Sequence, residues 1–162
     1  MSSACTFFGH RDTPCSVQPV LHGVLVNLIE KHEADTFYVG NQGNFDSMVH
    51  CELKELSKIY PHIKYYVVLA YLPTKKDYYP TDFSDTVYPG GLENVPLRFA
   101  INKRNGIMLT WSNIVVTYVC GSVGGAAKPH RFRSEASESR RPRRRHPCAT
   151  PLHSAWKSGK ID

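Results

Sequence analysis

Several things are missing from this chain, and each absence narrows what it can be. No apolar run approaches the roughly 20 residues that a membrane-spanning helix needs. The opening Met1-Ser2-Ser3-Ala4-Cys5 has neither the basic segment nor the apolar stretch of a secretory leader, so we read the protein as cytoplasmic and without a membrane partner. The five cysteines (Cys5, Cys15, Cys51, Cys120, Cys148) are odd in number, widely spaced and without a C-x-x-C pair. That argues against a disulfide framework or a zinc site, and no metal or cofactor is expected. Charge excess is missing from the body as well. Residues 1–128 hold 11 Lys and Arg against 11 Asp and Glu, whereas residues 129–162 hold 9 against 3 and so carry the whole net charge of +6. A nucleic-acid partner can therefore be argued only from that tail, chiefly from Arg140 to Arg145.

What is present is enough for one domain with a real core: 162 residues of ordinary apolar and charged content. The chain is organised around Phe37-Tyr38-Val39-Gly40-Asn41-Gln42-Gly43-Asn44-Phe45-Asp46. Apolar residues suited to a strand run into Gly40, and a helical pattern opens at Asn44, a suitable N-cap. A strand, a glycine turn and a helix start can aim backbone N–H groups and a helix dipole at an anion. A tight turn between a strand and a helix needs glycine with or without a ligand, so this corner alone supports both readings.

Two other junctions share the arrangement. Cys5-Thr6-Phe7-Phe8 reads as a buried first strand ending at Gly9-His10-Arg11. Val20, Leu21, Val24, Leu25, Leu28 and Ile29 repeat at helical spacing between Val17 and His32, and Ala34 to Val39 forms the second strand. Phe45, Met48, Val49, Leu53, Leu56 and Ile59 give the next helix its inner face, which Pro61 ends. Ile63 to Leu72 reads as a central strand covered on both faces. Pro73 to Pro89 has no period and reads as a long loop. A helix from Pro96 through Trp111 leads to the strand Ile114 to Val119, which ends in Cys120-Gly121-Ser122-Val123-Gly124-Gly125. This order predicts an α/β fold: a Rossmann-like parallel sheet of four to five strands with helices on both faces. Ligands of such sheets bind beyond the carboxyl ends of the strands, where the three glycine corners would meet.

Each candidate residue has a plain alternative. His10 and Arg11 could meet a phosphate or ribose, or pair with neighbouring carboxylates. Asp46 could complement the helix dipole or bind a ribose or base. Arg104 could be a solvated helix charge, the usual fate of arginine, or turn into the cleft as a planar anion fork. After Lys128 the pattern breaks. The fold calls for a further helix and a fifth strand, yet residues 129–162 are basic and poor in apolar residues. We read them as a tail that is either disordered or the product of a frame shift, with the last α-β unit missing.

Thr6-Phe7-Phe8-Gly9-His10-Arg11, the Gly-x-x-Gly-x-x-Asp run from Gly40 to Asp46, Lys103-Arg104-Asn105 ahead of a Ser-Asn strand start, and Gly121-Ser122-Val123-Gly124-Gly125 together resemble the SLOG superfamily over residues 4–128. That superfamily holds the LOG phosphoribohydrolases, the DprA/Smf core and small stand-alone bacterial and phage proteins, and this chain is most similar to the last group. The resemblance implies binding of a nucleotide or nucleotide-derived ligand through Gly9, His10, Arg11, Gly40, Asn41, Gly43, Asp46, Arg104, Ser122, Gly124 and Gly125, as a sensor or sequestering module. It also implies self-association. LOG enzymes cleave an N-glycosidic bond with an arginine, matched here by Arg104, and a glutamate, at whose position Lys128 stands. A lysine has the wrong sign to stabilise an oxocarbenium-like centre or activate water, so no catalytic residue is assigned. The alternatives are a LOG-like hydrolase of nucleoside monophosphates, with Asp46 or Glu93 supplying the carboxylate, and a DprA-like DNA-binding protein.

Overall fold

A computed structural model describes residues 3–72, 85–119 and 131–136, the last of these as backbone only. The elements run β1 (Ser3–Gly9), a 3-10 turn (Cys15–Val17), α1 (Gln18–Lys31), β2 (Ala34–Val39), α2 (Asn44–Ile59), β3 (Lys64–Val68), β4 (Thr86–Val87), α3 (Leu97–Trp111), β5 (Ile114–Val119) and β6 (Arg131–Ala136). They form one sheet in the order β4-β3-β2-β1-β5-β6. The first five strands of that order are parallel, and β6 lies antiparallel on β5. The fold is α/β and Rossmann-like.

Period-two alternation in the strands sends side chains to two cores. Cys5, Phe7, Phe37, Val39, Ile114, Val116 and Tyr118 face α1 and α2, which bury Leu21, Leu25, Leu28, Val49, Leu53 and Leu56 against them. On the other face Tyr38 and Val68 pack with Met108 of α3, and Phe8, Tyr66 and Trp111 close around them. Helices thus cover both faces. From β1 the chain steps through β2 to β3, then returns by α3 to β5 on the far side of β1. The direction reverses between β1 and β5, which is where open α/β sheets leave a crevice at their strand ends.

Several details depart from the sequence reading. The apolar run Ile63 to Leu72 is not all strand. β3 stops at Val68, and Leu69 and Ala70, each 1% exposed, continue as a buried turn. Nor is β3 central along its whole length, because its outer neighbour β4 spans only two residues. β4 itself lies within the stretch read as a loop. It is held by N–H groups of Val67 and Leu69, which donate to the carbonyls of Asp85 and Val87 (2.8 and 2.9 Å). Residues 73–84 lie outside the described residues. The N-cap of α2 is Gly43, with φ of 104°, and Asn44 is the first helical residue. Finally, residues 131–136 of the basic tail run as β6.

Candidate functional site

The C-terminal end of β2 is built on glycines for reasons of space. A Cβ on Gly40 would collide with Asp46 Oδ2 and stand 2.7 Å from Arg104 Nη1. Gly43 needs its positive φ, and a Cβ there would lie 2.6 Å from the Cα of Arg11. That close approach lets the Asn44 N–H, one of the orphan donors of α2, donate to the Arg11 carbonyl (2.8 Å). Gly9 makes room for the ring of Phe45, which lies across the end of β1 and stacks on Tyr118 of β5 at 5.9 Å. The start of α2 is thereby pinned over the place where the strand order reverses.

Asp46, 7% exposed, turns back into its own loop and accepts the backbone N–H of Gln42 at Oδ2 (2.9 Å). Burial raises its carboxyl above the ordinary value of 3.8, against the opposing pull of the Gln42 hydrogen bond and the Arg104 charge. The anion nearest this glycine corner is therefore the protein's own carboxylate.

Arg104 is 3% exposed, so its reading as a solvated helix charge is overturned. Lys103 and Arg98 keep that role; both are exposed, and Arg98 lies over the Phe99 ring. Arg104 Nη1 donates to the Val68 carbonyl at the end of β3 (3.1 Å) and to Asn41 Oδ1 (3.3 Å). Its Nε and Nη2 both donate to Asn105 Oδ1 (3.1 and 2.9 Å). The planar fork thus ties α3 to the ends of β2 and β3. Burial lowers its proton affinity, while Asp46 and Tyr71 raise it. No ion pair among the described residues includes it, which leaves a buried cation without a directly bonded carboxylate.

Of the residues expected at the site, two groups form around the start of α2: Gly9 and Arg11 with Gly43, and Gly40, Asn41 and Asp46 with Arg104. β2, β1 and β5 are neighbours in that order, so the corners after β2 and β1 adjoin. His10 is exposed and contributes its carbonyl to a turn closed by Thr13. Ser122, Gly124, Gly125 and Lys128, and the Arg140 to Arg145 run, lie outside the described residues. Glu93 holds a turn ahead of α3, accepting the Gly91 N–H at 2.8 Å. Sequence reasoning missed Gln42 and Tyr71 as contributors. Gln42 Nε2 donates to Asn41 Oδ1 (3.2 Å) and to Tyr71 Oη (3.1 Å). Tyr71 sits in an apolar run taken for strand and Gln42 in a loop read for its glycines, so nothing local marked either one.

A cavity of about 230 Å³ lies elsewhere, lined by Ile63, Lys64, Tyr65, Tyr66 and Asp85 at the opposite end of β3. Among the described residues no helix is long and apolar enough to cross a membrane.

No protein family, no curated protein and no solved structure matches this chain.

Proposed function

We propose that this protein binds a nucleotide or nucleotide-derived ligand at the C-terminal ends of its strands, as a sensor or sequestering module of SLOG type. One observation carries the reading: a buried guanidinium, Arg104, brought to the ends of β2 and β3 with no carboxylate bonded to it. The Asp46 carboxylate attracts it from across Gly40 without bonding to it, and a phosphorylated ligand would add a second counter-charge beside it. The adjoining corners at Gly9 and Gly40, beside the reversal point of the sheet, support the same location. The SLOG resemblance supplies the ligand class. Isothermal calorimetry with a panel of nucleotides tests it, with binding expected for at least one member and lost in a folded Arg104→Ala variant. No binding across the panel, or undiminished binding by the variant, rejects the proposal.

A second reading has an observation of its own. Asp46 is a buried carboxyl with raised proton affinity at the proposed site, the kind of group that serves general acid-base chemistry. It would act as the carboxylate of a LOG-like N-glycoside hydrolase in place of the missing glutamate. Base release from nucleoside monophosphates, abolished by Asp46→Asn, is the expected result. Absence of turnover with every nucleotide tried removes this reading and leaves the binding module.

A further inference from the structure

Arg104 imposes a direction on its neighbours. A guanidinium has five N–H donors and no acceptor, so any side-chain amide that hydrogen-bonds to it must present oxygen. Asn41 and Asn105 both do, each through Oδ1. Their NH2 groups must then point away from Arg104, and neither has a partner among the described residues. Both side chains are half-buried. Among the described residues, the buried side-chain polar atom without a partner is Ser112 Oγ, at the C-terminal cap of α3, so these two amide nitrogens open to the surface. Tyr71 adds a third donor: its oxygen accepts from Gln42 Nε2, which leaves its own O–H free to donate.

The ledge beside the ends of β2 and β3 is thus a set of outward donors backed by a permanent positive charge. The glycine corner is differently occupied. The Gln42 N–H is taken by Asp46, and the Asn44 N–H by the Arg11 carbonyl. An anion entering that corner would meet the Asp46 carboxylate; an anion on the ledge meets donors and Arg104.

We infer that the anionic group of the ligand is bound by the side-chain amides of Asn41 and Asn105, turned outward by Arg104, and not by the glycine corner ahead of α2. This deepens the nucleotide-binding reading and rests on it, placing a phosphoryl group on the ledge and leaving Asp46 to face the ligand's hydroxyl or amine groups.

The test uses the full 15N-labelled chain titrated with inorganic phosphate, adenosine 5′-monophosphate and adenosine. The side-chain NH2 resonances of Asn41 and Asn105 should shift with the first two and not with adenosine. Asn105→Asp keeps an oxygen for Arg104 but replaces the outward donor with negative charge. Its affinity for phosphate and for the monophosphate should fall about tenfold or more, with adenosine unaffected. If the amides merely brace Arg104, the same variant retains wild-type phosphate affinity, and the inference is overturned. Shifts confined to the backbone N–H groups of Gly40 to Asn44 also overturn it, while leaving nucleotide binding intact. No response to any of the three probes overturns both.

Discussion

Asp46 and Arg104 face each other across Gly40: a Cβ on that residue would collide with the Asp46 carboxylate and stand 2.7 Å from Arg104 Nη1. A residue with no side chain separates two ionisable groups, one from α2 and one from α3, at the end of β2. Much of what this site does should follow from that spacing.

Gly40→Ala is expected to push the two groups apart. Interior overpacking of this kind costs about 1–3 kcal/mol, and the displaced guanidinium also loses its grip on Val68 and Asn41. Urea unfolding should show a lower midpoint with an unchanged slope. A wild-type midpoint would mean that the loop relaxes freely and that Arg104 does not depend on it.

Gly43→Ala meets two obstacles, the positive φ and the backbone of Arg11 at 2.6 Å. Strain of this kind costs about 1–3 kcal/mol. Here the neighbour is main chain, which cannot swing away. The Asn44 to Arg11 hydrogen bond should break, and hydrogen exchange at Asn44 should quicken more than at Leu53 in the middle of α2. Equal protection in variant and wild type would contradict the crowded geometry.

The pH dependence of stability should carry the mark of Asp46. Its carboxyl is raised in the folded state from an ordinary value of 3.8. The folded protein therefore binds this proton more tightly than the unfolded chain, and stability falls as pH rises from about 3.8 through the folded value. Asp46→Asn removes that fall. A plot of the stability difference between variant and wild type should move in the variant's favour over that window and be flat above it. A difference of constant size across the window would show that Asp46 titrates normally.

Thiol reactivity separates the cysteines. Cys5 is fully buried in β1, and desolvation pushes its thiol well above the ordinary range, whereas Cys15 and Cys51 are exposed. Iodoacetamide should modify Cys15 and Cys51 in the native protein and reach Cys5 only on unfolding, as read by peptide mass spectrometry. Native labelling of Cys5 at the rate of Cys15 would place β1 at the surface.

The sequence by itself determined the scaffold. Leu21, Leu25 and Leu28 sit one helical turn apart and Phe37 and Val39 two residues apart, and those periods admit one element type each. A β-α-β order with short connections then leaves a parallel sheet as the way to cover both faces. The same local logic located the glycine corners at Gly9 and Gly40, because backbone space is a property of the residue itself. It could not decide Arg104. Nothing in Lys103-Arg104-Asn105 says which of two adjacent cations turns inward; only the packing of α3 against Tyr38 and Val68 settles it, by setting the helix rotation that points Arg104 at the Val68 carbonyl. Nor could it show that Asp46 fills the glycine corner or that Tyr71 meets Gln42, since these contacts join residues that come together only when α2, α3 and the end of β3 share one edge. Burial and charge pairing are properties of that shared edge, and for this reason only the tertiary structure decided them.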